Sequence, residues 1–83
     1  MTYVYVVIEN GDPYPAVYTS FAVAVSAAKV RHAETIIEEL LEADGEPICS
    51  DLDVPENEIT GKTLLYVEKG IHIEICKLPI TSV

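Results

Sequence analysis

The first residues of the chain alternate in the way that is typical of a β-strand. Residues 2–9 are rich in Val, Ile and Tyr, side chains that favour strands. The apolar face predicted to lie against the core consists of Val4, Val6 and Ile8. Turn formers at residues 10–13 then indicate a hairpin, with a second strand over about residues 16–19. Because Pro13 and Pro15 cannot donate ladder hydrogen bonds, we expect a longer loop and a second strand at a sheet edge.

The middle of the chain has the period of an amphipathic helix. Thr19 or Ser20 can cap its first turn, and Gly45 is a natural stop, so the pattern predicts one helix over residues 21–43. The apolar residues recurring at spacings of three and four are Val23, Ala27, Val30, Ala33, Ile37, Leu40 and Leu41. Such a helix spans more than ~30 Å. We expect it to be the sole cover of one sheet face.

The last part of the chain predicts a second hairpin. Residues 45–61 are acidic and contain two prolines, which indicates a long loop. Two strands follow at residues 63–67 and 71–78. A three-residue connection with Gly70 in the left-handed conformation aligns their apolar residues on one face.

These elements predict an α+β fold in a single compact domain over residues 1–83. The order is ββαββ, a four-stranded, mainly antiparallel sheet with one long helix packed on one face. The helix-covered face is expected to hold Val4, Val6, Ile8, Leu65, Val67, Ile71, Ile73 and Ile75. The other face is expected to hold Tyr3, Tyr5, Val7, Leu64, Tyr66, His72, Glu74 and Cys76. Because tyrosines are common at interfaces, self-association through Tyr3, Tyr5, Leu64, Tyr66 and His72 is one interpretation, and an ordinary half-exposed sheet face is the other.

Composition supports a folded chain. Apolar residues make up 49% of the 83 residues, which excludes global disorder. The N-terminal pattern is that of a strand rather than a signal peptide, and no apolar run reaches the ~20 residues needed to cross a bilayer. Cys49 and Cys76 lack the short paired spacing of zinc or redox sites, so we expect reduced thiols and a cytoplasmic protein.

Charge is distributed unevenly along the chain. Ten acidic residues and no lysine or arginine lie between His32 and Gly61, whereas the net charge of the whole chain is −9. Such a block points away from direct binding of nucleic acid or anionic membranes and towards a protein with a basic surface. The predicted contact residues are Glu34, Glu38, Glu42, Asp44, Glu46, Asp51, Asp53, Glu56 and Glu58.

The helix carries part of this block as a ridge. Glu34, Glu38 and Glu42 recur every four residues, with about 6 Å between neighbours. Each like-charge pair costs roughly 0.2–0.5 kcal/mol, and acids near the helix C-terminus oppose the macrodipole. The ridge therefore suggests a role in recognition, including mimicry of nucleic-acid phosphates, although acids that only keep the protein soluble are an alternative.

Other chemistry is not indicated. The acids from Asp51 onwards do not match a calcium-binding EF-hand, which needs glycine and glutamate where this chain has Glu56 and Lys62. His72 and Cys76 are about 13 Å apart along a strand, too far for a catalytic pair. We predict no catalytic residue, no metal, no cofactor and no enzymatic activity.

Two hairpin segments carry a resemblance. Residues 4–15 (VYVVIENGDPYP) and 66–73 (YVEKGIHI) resemble small uncharacterised accessory proteins of bacteriophages and large DNA viruses. The resemblance covers about a third of the chain and implies a host-cytoplasmic setting in which compact acidic proteins block host or defence machinery. The element order is also similar to that of ubiquitin-like folds, but the closing hairpin argues for a different strand arrangement.

Together these features predict a small acidic protein-binding module. We expect an inhibitor that blocks a basic, nucleic-acid-binding surface of a target protein. The alternative is a homo-oligomeric structural or scaffold protein, in the simplest case a homodimer, that associates through the tyrosine-bearing sheet face.

Overall fold

The computed structural model describes residues 2–80, which form four strands and two helices. In chain order these elements are β1 (Tyr3–Glu9), β2 (Asp12–Tyr18), α1 (Phe21–Arg31), α2 (Ala33–Ala43), β3 (Lys62–Val67) and β4 (Ile71–Pro79). The sheet order is β2-β1-β4-β3, and every neighbouring pair is antiparallel. The predicted α+β class and four-stranded antiparallel sheet are confirmed. β1 and β4 are adjacent but antiparallel, unlike the parallel first and last strands of ubiquitin-like folds.

The first hairpin is tighter than predicted. Glu9 pairs with Asp12, so the turn consists of Asn10 and Gly11 alone, at φ 48° and 89°. A two-residue turn of this kind needs positive φ at both positions, which Asn and Gly tolerate. The second strand therefore begins at Asp12 rather than near residue 16. Its prolines are accommodated because β2 is an edge strand whose register shifts opposite β1, in agreement with the expected edge position.

The prediction of a single long helix is wrong in one respect, because the helix breaks at His32. The Ser20 hydroxyl accepts a hydrogen bond from the Val23 amide at 3.2 Å, which confirms the predicted N-cap. His32 has φ −111° and ψ 20°, outside the helical range, and separates α1 from α2. Its ring is tied to Glu9 of β1, a contact from a distant strand that helical periodicity does not encode.

α1 covers one face of the sheet, and the core lies between them. The buried apolar residues of this core are Tyr5, Val7, Tyr14, Ala24, Ala28, Leu52, Leu65, Val67, Ile73 and Ile75. The sheet register pairs Val7 with Ile75 and Leu65 with Ile73, which places all four on the α1 side. The predicted grouping of the β3 and β4 residues is confirmed.

The predicted orientation of β1 is wrong. Tyr5 and Val7 face α1, while Val4, Val6 and Ile8 lie on the opposite side of the sheet. Both sets are apolar, so alternation alone could not choose between them. The choice is made by tertiary contacts.

Those contacts centre on Tyr5. Its ring meets Phe21 of α1 edge to face at 6.3 Å, and its hydroxyl donates to Glu56 at 3.0 Å. Both contacts are available only on the helix side.

The closing hairpin has the predicted three-residue connection. Val67 pairs with Ile71 across residues 68–70, and Gly70 is left-handed at φ 83°. Lys69 is also left-handed, at φ 72°. This connection sets the register that keeps the apolar residues of β3 and β4 together.

The molecule is elongated because α2 extends past the sheet. Its principal extents are 52 × 25 × 19 Å, and its radius of gyration is 13.9 Å, against roughly 12 Å for a compact chain of this length. α1 packs against β1, β2 and β4, whereas α2 packs mainly against the following loop. Within residues 2–80, no helix is long and apolar enough to cross a membrane.

The loop after α2 runs beside β3. Asp51 and Tyr66 exchange backbone hydrogen bonds of 2.7 and 3.0 Å, and Leu52 is buried in the core. The loop thereby occupies part of a sheet edge that would otherwise present unpaired backbone groups.

Candidate partner-binding surface

α2 exposes large apolar side chains instead of burying them. Ile37 is 55% exposed, Leu40 54% and Leu41 77%, and Val30 at the end of α1 is 78% exposed. At helical spacing these four residues share one side of the helical segment, here called the apolar stripe. Amphipathic helices of globular proteins normally turn such a stripe inwards, whereas this one faces solvent.

Acidic side chains flank the apolar stripe. Glu34, Glu38 and Glu42 are all exposed on α2, and their spacing places them as a row beside Leu41. The glutamate ridge expected from the sequence thus lies on one continuous helix, next to the apolar residues that the sequence assigned to the core.

A groove of about 390 Å³ lies on the other side of the stripe, between α2 and the loop. Its lining is mostly apolar and includes Ile36, Leu40 and Ile48. At the edge of the groove, Nζ of Lys29 lies 2.6 Å from Oδ1 of Asp53, an exposed pair of the kind that contributes little to stability.

Glu39 holds the loop against α2. Its carboxylate accepts hydrogen bonds from the amides of Cys49 at 3.1 Å and Ser50 at 3.4 Å, and it is only 6% exposed. This acid is structural. Because the loop forms one wall of the groove, Glu39 helps to set the shape of the groove.

The remaining predicted contact acids follow the loop. Those exposed to solvent are Asp44, Glu46, Asp51, Asp53 and Glu58. Glu56 differs, because it is half-buried, accepts the Tyr5 hydroxyl and lies 4.0 Å from Nζ of Lys77. Burial raises the pKa of Tyr5, and the Glu56 carboxylate adds to this effect. Glu56 therefore helps to attach the loop to the sheet.

Comparison with known proteins gives no match. No protein-family model matches the chain, and the curated proteins and solved structures searched contain no similar one.

The structure divides the residues predicted for self-association between the two sheet faces. Leu64, Tyr66 and His72 lie on the face opposite α1, with Leu64 70% exposed. Tyr3 and Tyr5 lie on the α1 side, because the orientation of β1 is the reverse of the prediction. The predicted tyrosine-rich face therefore does not form.

A polar cluster that the sequence did not reveal surrounds the helix break. Oε1 of Glu9 accepts the Tyr14 hydroxyl at 2.9 Å and Nε2 of His32 at 2.5 Å, with Nε of Arg31 at 3.8 Å. The Arg31 guanidinium also lies over the Tyr14 ring at 4.6 Å, a cation–π distance. These residues come from β1, β2 and the end of α1, so no local sequence spacing could predict that they cluster.

The environment of this cluster changes how its acid groups ionise. Burial by itself raises the pKa of Glu9, but hydrogen bonds from His32 and Tyr14 outweigh burial and leave that pKa below its usual value. Burial and the Glu9 carboxylate together raise the pKa of Tyr14 well above its usual range. The cluster ties the junction between α1 and α2 to the sheet, and so fixes the direction in which α2 projects.

The described chain offers little for metal chemistry. Among residues 2–80, no group of three or more His, Cys, Asp and Glu side chains is placed to hold a metal ion. The surface of α2 and the following loop combines exposed apolar area, a groove and negative charge.

Proposed function

We propose that this chain is a protein-binding module that inserts α2 into an apolar groove rimmed by lysines and arginines on its partner. By covering that basic surface it acts as a stoichiometric inhibitor. The observation that carries the proposal is the apolar stripe, exposed on a projecting helix and flanked by glutamates.

The two halves of the surface have different roles. Fully burying a Leu or Ile side chain contributes about 1.5–3 kcal/mol, so the stripe can supply most of the affinity. Carboxylates at the rim chiefly accelerate association with a positively charged partner and disfavour other partners. Recognition of a helix in a groove uses anchors at this helical spacing.

The solubility interpretation explains less of the structure. It accounts for the acids but not for Leu41, which is 77% exposed beside them. A chain selected only to remain soluble would place polar residues on a helix that leaves the sheet. The combined pattern therefore favours recognition.

The first experiment measures binding of a labelled amphipathic helical peptide of leucines and lysines by fluorescence anisotropy. We expect Leu41→Glu to weaken binding at least about tenfold, since it removes a buried anchor and introduces a charge without a partner. The matched control is Leu64→Glu, which makes the same change at another exposed leucine, on the far sheet face. A second peptide with the same lysines but serine in place of leucine should bind weakly.

The acidic half is tested by charge reversal. Glu38→Lys should slow association at low salt and lose this effect at high salt, because exposed charges are screened. Asp12→Lys makes the same charge change on the exposed first hairpin and should have a smaller effect.

The natural target is then sought by affinity capture from host lysate with the same variants. The target is a protein recovered by the wild type and by Leu64→Glu, but not by Leu41→Glu. Equal binding of peptide and lysate proteins to both leucine variants would contradict a role for α2.

A further inference from the structure

The side of the sheet opposite α1 is rich in apolar residues, and within residues 2–80 no helix packs on it. This side is here called the open face, and its apolar residues include Val4, Val6, Ile8, Val17, Leu64, Cys76 and Leu78. Among them Val17 is 62% exposed, Leu64 70% and Leu78 47%. The open face is separate from α2 and has no part in the function proposed above.

An open face of this composition is unusual for an antiparallel sheet. Such sheets usually alternate, with apolar residues towards the core and polar residues towards water. Here β1, one of the two central strands, has apolar side chains on both faces. On the open face, Val6 is paired with Val17 of β2 and with Cys76 of β4. The largest apolar patch on a monomer, roughly 300–600 Å², is often functional.

The open face is also close to electrically neutral. Its fully charged side chains are Lys62 and Glu74, whose Nζ and Oε1 atoms lie 3.9 Å apart and offset one another. The acidic residues of α2 and the following loop lie elsewhere, on the helix layer and beside β3. The open face has no excess of negative charge that would attract a basic partner.

We propose that the open face binds the open face of a second copy of this chain. A molecule with a net charge of −9 repels its own copies, and the repulsion is weakest where the contact surface carries no excess of acids. The open faces of the two copies then contact each other about a two-fold axis, the commonest symmetry of soluble oligomers. The acidic surfaces of both copies stay outside the contact.

The size of the open face predicts weak association. Four strands about 4.8 Å apart and about seven residues long cover roughly 440 Å² in flat projection, or about 900 Å² for two copies. Stable complexes bury about 1,200–2,000 Å², so this dimer belongs with weak contacts whose Kd lies between about 1 µM and 1 mM.

Salt dependence is a distinguishing property of this dimer. Burial of apolar side chains does not depend on attraction between opposite charges, so salt does not weaken it by screening. The repulsion between the two acidic molecules, in contrast, is screened as the salt concentration rises. Self-association should therefore strengthen with salt, whereas binding to a basic partner through α2 weakens.

The experiment is sedimentation equilibrium of the purified full chain from 10 µM to 1 mM, at low and high salt. The average mass should rise from the 9.1 kDa monomer towards twice that value, and more readily at high salt. Leu64→Glu should remain monomeric throughout. Leu41→Glu, the same change on α2, should associate like the wild type.

Folding of both variants is checked by circular dichroism, and both sites are exposed enough to accept a glutamate. Amide chemical shifts on dilution give a second measure, with the largest changes expected at Val6 and Ile8. A wild type that stays monomeric at 1 mM in high salt, or association lost by Leu41→Glu but kept by Leu64→Glu, would overturn the proposal.

Discussion

Replacing Glu9 by glutamine tests whether the polar cluster holds the helix junction in place. The Tyr14 hydroxyl and the His32 ring form hydrogen bonds with the same oxygen, Oε1, and Nε of Arg31 lies 3.8 Å from it as an ion pair. Glutamine can place a carbonyl oxygen at that point, so Glu9→Gln removes the charge and leaves the shape. The change therefore measures the extra strength that the carboxylate charge gives to the two hydrogen bonds and to the ion pair with Arg31.

The expected loss of stability follows from the difference between a charged and a neutral hydrogen-bond acceptor. A hydrogen bond to a charged group contributes about 1.5–3 kcal/mol, and a neutral one about half as much. The Glu9 side chain is 22% exposed, so solvent screens only part of the interaction. We expect Glu9→Gln to lower the free energy of unfolding by about 1–2 kcal/mol at pH 7, and the melting temperature by roughly 5–15 °C.

The pH dependence of this loss has a definite sign. The pKa of Glu9 is lower in the folded protein than its ordinary value of 4.5, so the charged form is favoured by folding. The stabilisation is complete above pH 4.5 and is lost as pH falls through the folded pKa. At low pH the wild-type carboxyl is protonated and resembles glutamine, so the two proteins should converge.

Thermal unfolding followed by circular dichroism from pH 7 to pH 3 checks this expectation. Glu42→Gln is the matched control, because it removes the same charge from an exposed site on α2 and should be close to neutral. If the gap between wild type and Glu9→Gln is absent at pH 7, or does not narrow on acidification, the carboxylate charge does not hold the junction.

Two further predictions concern groups that the sequence did not distinguish. Glu39→Ala should release the loop from α2, raising hydrogen exchange at the Cys49 and Ser50 amides by about tenfold or more and lowering stability by about 1–3 kcal/mol, because two amide donors, of which that of Ser50 is buried, lose their acceptor; unchanged exchange there would contradict the structural role of Glu39. The raised pKa of Tyr14, caused by burial and then by Glu9, means that the unfolded chain ionises first above about pH 10, so stability should fall as pH rises further, and Tyr14→Phe should flatten that slope in urea unfolding between pH 9 and pH 11.

Local signals predicted much of the fold. Short stretches of sequence encode three of its features: the Ser20 cap, the three-residue connection before Ile71 and the apolar face of β3 and β4. Such features depend on backbone conformation and on short periodicity, which a single sequence carries. The glutamate ridge on α2 belongs to the same class.

Features decided by distant residues were not predicted. His32, where the helix breaks, is bonded to Glu9, which is far away along the chain, and nothing in the apolar period marks the break. The orientation of β1 was undetermined because either alternate set is apolar, and Tyr5 settles it through Phe21 and Glu56. These two errors share a cause, since each side chain is chosen by a partner from another element.

The orientation of β1 and the side on which the helices bury their residues together explain why a chain this small has two apolar surfaces. Only α1 packs on the sheet, so the apolar set of β1 that does not face α1 remains on the open face. The apolar stripe lies on the side of the helices away from their buried residues, which are Ala24 and Ala28 in α1 and Glu39 in α2. It is therefore exposed on both sides of His32, from Val30 to Leu41. A chain with two such surfaces risks indiscriminate association, and a net charge of −9 opposes this at low salt. Because the open face is nearly neutral and the stripe is bordered by acids, increasing salt should favour self-association and weaken partner binding, so the two surfaces can be separated by salt alone.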